Sequence, residues 1–184
     1  MRAAIFLLAA AIVPAGAQLG TMKQAPPAAV KSGTVGAAGA PLQTMQALEK
    51  DLDGRIASTG GADPCVIWGG TRGVVVNGLG AIFTAEVELA ATPGGVGLFQ
   101  ATVGPEQKAK ILKNKLAHVP LLEQTMRDMV LSLSASPALR LADTDQVVVA
   151  VRLWYRPWED RSGLPGEIVM RLDHRGGVPK MDVQ

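Results

Sequence analysis

The chain has 184 residues, 48% of them hydrophobic, with 18 basic against 16 acidic side chains, two histidines and one cysteine. So balanced a charge provides no field to draw the protein onto nucleic acid or an anionic bilayer, and nucleic acid is excluded as an expected partner. One cysteine rules out an internal disulfide, and two histidines without a cysteine pair rule out zinc or iron sites of ordinary ligand spacing; no metal and no cofactor are expected.

At the start, Arg2 precedes the apolar run Ala3 to Val13, then Pro14 and the small triplet Ala15-Gly16-Ala17. This order reads as a secretory signal peptide over residues 1–17, with a mature chain beginning near Gln18. A retained anchor would need roughly 20 consecutive apolar residues, and Pro14 breaks a helix where such an anchor would continue. Lipoprotein processing would need a cysteine just after the run, whereas the only cysteine is Cys65. The expected location is therefore periplasmic or secreted, with no stable membrane span after cleavage. Loss of Arg2 would leave 17 basic against 16 acidic residues.

Residues 18–41 carry Pro26-Pro27 and Gly36 to Gly39 and no periodic apolar pattern, which predicts a flexible linker. Residues 42–184 then form a single globular domain, large enough to bury roughly two thirds of the surface its unfolded chain exposes. Leu42, Met45, Leu48, Leu52 and Ile56 recur at steps of three and four, predicting a helix that stops near Ser58, before Thr59-Gly60-Gly61. Cys65 to Trp68 and Gly73 to Val76 read as short strands separated by a Gly69-Gly70 turn, and Asn77-Gly78 is a type I′ hairpin signal. Ala81 to Leu89 alternates, with Phe83, Ala85, Val87 and Leu89 inward and Thr84, Glu86 and Glu88 on a solvated face.

From Pro105 to about Ser134 the helical period returns and keeps its register through Pro120, predicting either one kinked helix or two nearly coaxial ones. Gln146 to Tyr155 has valine on both faces, which predicts the central and most buried strand; Glu167 to Leu172 alternates again, and a polar tail follows Asp173. The order α, β, β, α, β, β predicts an α+β fold. Its antiparallel sheet of four to five strands would be packed on one face by the long helix and the shorter N-terminal one.

Thr71-Arg72 followed by Gly73 to Val87, GVVVNGLGAIFTAEV, resembles a segment of uncharacterised exported bacterial proteins with no assigned activity. The resemblance covers residues 71–87. It implies export and carries over no catalytic residue.

Catalytic motifs are lacking. No serine stands in a nucleophile elbow, and the glycines at 69–73 and 78–80 lack both the Lys-Ser/Thr ending of a P-loop and the third glycine of a dinucleotide fingerprint. Asp51-Leu-Asp53-Gly54 would need a carboxylate where Ala62 stands to make a calcium loop. Cys65 as a nucleophile would need His118 or His174 beside it, and flanked by Pro64 and Val66-Ile67 it reads as a small packed side chain.

Two features remain as candidate contacts. Lys108 and Lys115 project toward the apolar stripe of the long helix, and Lys115 could stand at the lip of a groove near Pro120 and meet an anionic ligand. The loop Trp154-Tyr155-Arg156-Pro157-Trp158-Glu159-Asp160-Arg161 concentrates two of three tryptophans and the only tyrosine beside arginines, the residue types that anchor interfaces. Trp154, Tyr155, Arg156, Trp158 and Lys115 are thus the candidate contact residues of a non-catalytic module binding a protein or envelope component. The alternative is a secreted, hydrolase-like enzyme using carboxylates such as Glu86 and Glu88 or the Cys65 thiol.

Overall fold

A computed structural model describes residues 40–91, 103–174, 178 and 180–183, so the expected signal peptide and all but the end of the linker lie outside the described residues. The amphipathic repeat after Pro41 forms helix α1 (Leu42–Ser58), and the chain turns out of it through Gly60 and Gly61, both at positive φ. Strands β1 (Val66–Val76) and β2 (Gly80–Glu88) follow, then helix α2 (Pro105–Ser134), a short 3-10 turn at Pro137–Leu139, and strands β3 (Gln146–Leu153), β4 (Glu167–Asp173) and β5 (Lys180–Val183).

The fold is α+β, with a sheet of five strands in the order β1-β2-β3-β4-β5. The sheet is mixed, not purely antiparallel. The three pairs β1–β2, β3–β4 and β4–β5 are antiparallel, while β2 and β3 run parallel in the register Gly80↔Gln146 to Val87↔Leu153. Between these two strands the chain makes α2, and a connection that long lets the chain re-enter the sheet from the end where β2 began. The valine-rich β3 is the central strand, as its two-sided apolar pattern predicts. It is not the most buried one, because its second face is only half covered while β2 buries residues at both of its ends.

Leu52 and Ile56 of α1, Leu122, Met126 and Met129 of α2, Phe83 and Val87 of β2, Val147, Val149 and Val151 of β3, and Ile168 and Met170 of β4 belong to one buried cluster. Each such side chain contributes roughly 1.5–3 kcal/mol by leaving water. Methionine stands at three of these positions, an unbranched and adaptable side chain suited to irregular gaps in a core. On the other face of the same strands, Ile82, Val148, Ala150 and Val169 are half-buried and Thr84, Glu86, Arg152 and Arg171 exposed.

Pro120 neither splits nor ends α2, which continues to Ser134 as one helix. Its ring and the Leu116 turn below it lie on the exposed side of the helix, where water can satisfy the carbonyl that proline leaves without an N–H partner.

Gly69 and Gly70 are not a turn between two strands. Both have positive φ and form an irregularity inside one continuous strand, β1, where the pairing skips from Trp68↔Glu86 to Arg72↔Thr84. Helix α1 holds this bulge: one carboxylate oxygen of Asp53 accepts from both the backbone N–H (2.7 Å) and the hydroxyl (2.6 Å) of Thr71, and Glu49 accepts from the Gly73 N–H (2.8 Å). Since β1 is an edge strand, these carboxylates satisfy amides that have no further strand to pair with.

The β1–β2 hairpin departs from type I′. Asn77 does not have positive φ, Gly78 does (77°), and the Leu79 N–H donates to the Val76 carbonyl, the signs of a type II turn. Gly80, at φ 119°, is required as glycine for a second reason: a Cβ there would collide with the Gln146 backbone, whose N–H donates to the Leu79 carbonyl. The expected polar tail contains β5, an exposed strand held to β4 by backbone pairing and by an Arg171–Asp182 ion pair.

Candidate functional site

The candidate residues separate into two groups. In the first, Lys115 is 1% exposed, and its ammonium lies 2.7 Å from Glu159 Oε2 and 3.3 Å from Glu88 Oε1, with the Tyr155 ring 5.5 Å away. The stem runs inward from the apolar side of α2, as its place on the helical stripe predicts, but the head meets two carboxylates of the chain itself. The position expected for an anionic ligand is thus occupied from within. Glu88, expected on a solvated face beside Glu86, is 2% exposed; Glu86 remains exposed, 3.9 Å from Arg152.

Tyr155 is buried, and its hydroxyl donates to the Pro165 carbonyl at 2.6 Å, closing the loop that runs between them. Burial pushes its phenol well above the ordinary value, opposed by the nearby Arg161 guanidinium and reinforced by Glu159. With Glu159 locked to Lys115 and Arg161 5.4 Å over the Tyr155 ring, Tyr155 and Glu159 are held in the core, while Pro157, Asp160 and Arg161 of the same loop stay exposed.

The second group lies on the exposed face of the sheet. Trp154 follows β3, and its ring centroid is 4.9 Å from that of Trp68, tilted by 38°; the Arg156 guanidinium sits 5.4 Å over the Trp154 ring. The result is a stack of Arg156, Trp154 and Trp68 in which the last member is 44% exposed. Trp158 is half-buried and takes no part in the stacking contacts among the described residues. Trp68 was not among the candidates read from the sequence. The signal that could have found it is the glycine pair after it: a bulge in place of a turn keeps Trp68 and Arg72 in one strand on one face.

Beside Trp68 is a depression of about 370 Å3 lined by Trp68, Gly70, Arg72, Thr84, Glu86 and Arg152 among others. Its order follows from the pairing. Trp68, Glu86, Arg152 and Glu167 are direct cross-strand neighbours across β1 to β4, and Arg72, Thr84 and Ala150 form the next row.

Cys65 and His118 do not form a catalytic pair. The Cys65 thiol is 3% exposed, donates to the Leu89 carbonyl at 3.2 Å, and is pushed up to about 11 by burial and by the charge of Asp63, so it stays protonated at neutral pH. His118 is buried with Nδ1 2.8 Å from the Asn114 carbonyl and Nε2 2.6 Å from the Asp63 carbonyl. Both ring nitrogens are therefore engaged with backbone carbonyls, while the thiol is bonded elsewhere, so the two side chains do not meet as nucleophile and base. Asn114 also donates to the Asp63 carboxylate, so this corner ties α2 to the loop before β1. Among the described residues no group of His, Cys, Asp and Glu could hold a metal ion, and no helix is long and apolar enough to cross a membrane.

No family model, no curated protein and no solved structure matches this chain.

Proposed function

We propose that this chain is an exported, non-catalytic binding module, carried on a flexible lead and delivered to the periplasm or outside by its N-terminal segment. Its two helices would cover one face of the sheet and leave the other as the surface that contacts a protein or envelope component. The observation that carries this reading is the Arg156–Trp154–Trp68 stack, which leaves 44% of a tryptophan in solvent on a strand face. Tryptophan and arginine dominate binding energy where they are held rigid, because little side-chain entropy is lost when a partner covers them. The hydrolase-like alternative draws no comparable support: the Cys65 thiol is raised to about 11 and Glu88 is committed to Lys115.

A photo-cross-linking residue in place of Arg72, beside the stack, tests the proposal in the native envelope fraction. A discrete adduct that excess unlabelled protein competes away is the expected result. Absence of any adduct from Arg72, Val74 and Trp158 positions alike would overturn it.

A further inference from the structure

We propose that the depression beside Trp68 is a saccharide subsite, with the Trp68 ring as its stacking platform and Arg72, Glu86, Arg152 and Glu167 as its polar walls. This names the ligand class for the surface proposed above and rests on that reading.

The floor is made of small side chains, Thr84 and Ala150 with Gly70 at the rim, and the walls are long ones, so a strand face that would otherwise be flat has a hollow of about 370 Å3. That volume falls in the range of small-molecule sites, and a broad protein patch would leave it empty. Of the stack, Trp68 lines the hollow while Trp154 does not. Trp154 and Arg156 pack against it in series, at 4.9 Å between the rings and 5.4 Å from guanidinium to the Trp154 ring. A rigid indole beside a hollow suits a flat, weakly polar ring face, and the C–H face of a pyranose is one.

The charges argue against an ionic ligand. Glu86, Arg152 and Glu167 alternate along one cross-strand row, and Arg72 in the next row brings the four to two cations and two anions. A phosphate or a carboxylate-rich ligand would meet as much repulsion as attraction. Hydroxyl pairs suit the arrangement better, because each hydroxyl both donates and accepts, while carboxylates supply acceptor forks and guanidinium groups donor forks. At 3.9 Å, Arg152 and Glu86 are close enough to balance each other and too far apart to form a tight pair, leaving their hydrogen-bonding capacity for a ligand.

The test uses the full chain and soluble, uncharged linear oligosaccharides of β-1,4-linked N-acetylglucosamine, β-1,4-linked glucose and α-1,4-linked glucose. Titrations are followed by tryptophan fluorescence and by calorimetry. Trp68 and Trp154 are two of only three tryptophans, so the emission reports on the site. The expected result is saturable binding of at least one probe, weakened roughly ten-fold or more by Trp68→Ala and by Arg152→Gln, and unchanged by Lys113→Ala on the exposed side of α2. Trp68→Ala removes an exposed ring and should fold, and Arg152→Gln leaves the stack intact, so loss in both locates the site without depending on either. No saturable response to any probe, or equal binding by Trp68→Ala, overturns the saccharide. If no sugar binds while the Arg72 cross-linker still captures a competable protein, the surface stands and its occupant is a protein; if both fail, both proposals fall.

Discussion

Lys115 Nζ lies 2.7 Å from Glu159 Oε2 across a sequence separation of 44 residues, and both side chains are 2% exposed. The pair joins the first half of α2 to the loop after β3, and Glu88 adds the end of β2. Replacing Lys115 with methionine removes the cation that two buried carboxylates share and should destabilise the fold by about 3–5 kcal/mol. Adding Glu88→Gln and Glu159→Gln removes the charges as well and should restore much of that loss. Urea midpoints of the single and triple variants decide: if the single variant loses less than about 1 kcal/mol, water reaches these carboxylates and the buried description is wrong.

Gly60 and Gly61 make a paired test of backbone against packing. Both have positive φ, at 93° and 62°, but a Cβ at Gly60 would sit 2.5 Å from His118 Nε2 and 2.5 Å from the Asp63 carbonyl, while one at Gly61 meets nothing within 4 Å. Gly61→Ala should cost about 1 kcal/mol, the ordinary penalty of left-handed backbone. Gly60→Ala adds a steric clash and should lose at least about 2 kcal/mol, accompanied by faster amide exchange at Asp63 and Cys65. Equal losses would show that the loop yields to make room.

The elements were legible where a single face is buried. The steps of three and four in α1 and α2 and the alternation of Phe83, Ala85 and Val87 follow from what each element presents to the core, and these elements stand where the sequence places them. What failed was punctuation. Gly69-Gly70 looks like a turn until Asp53, on another element, bonds Thr71 and turns it into a bulge. Likewise β5 is only four residues long and all of them are exposed, so its brief alternation of Met181 and Val183 with Lys180 and Asp182 is too short to stand out, and it is held by backbone pairing with β4. At the site, the loop that drew attention for its composition contributed Trp154 and Arg156 to the exposed stack but gave Tyr155 and Glu159 to the interior. Trp68 escaped because its partner, Trp154, lies just past the end of β3, and a contact between segments so far apart in the chain leaves no local trace.

Asp53 should matter more than an exposed helical acid usually does. Asp53→Ala removes the acceptor of two hydrogen bonds, those from the Thr71 N–H and hydroxyl, and bonds to a charged acceptor contribute roughly 1.5–3 kcal/mol each. Asp53 is only half-buried, and screening by water brings the expected loss to about 2 kcal/mol in total. Native-state hydrogen exchange should show Thr71 and Gly73 losing protection while the β3 amides keep theirs. The freed β1 edge should also raise concentration-dependent aggregation in light scattering. Unchanged exchange at Thr71 would mean that the bulge holds itself.

Cys65 sets a prediction at alkaline pH. Burial, reinforced by the Asp63 charge, raises the thiol from 9.0 to about 11 in the folded chain. The folded state therefore keeps its proton over a range in which the unfolded state releases it. The thiol's contribution to stability is complete below pH 9 and is lost as pH rises toward 11. Tyr155 is shifted in the same direction from a higher starting point of 10.0, and it acts equally in wild type and in a Cys65→Ala variant. The difference between the two proteins thus isolates the thiol. Urea midpoints measured across this window should fall more steeply for wild type than for Cys65→Ala, even though the variant starts lower because it leaves a small cavity. Parallel curves would place the Cys65 thiol in contact with water, against its 3% exposure and its bond to Leu89.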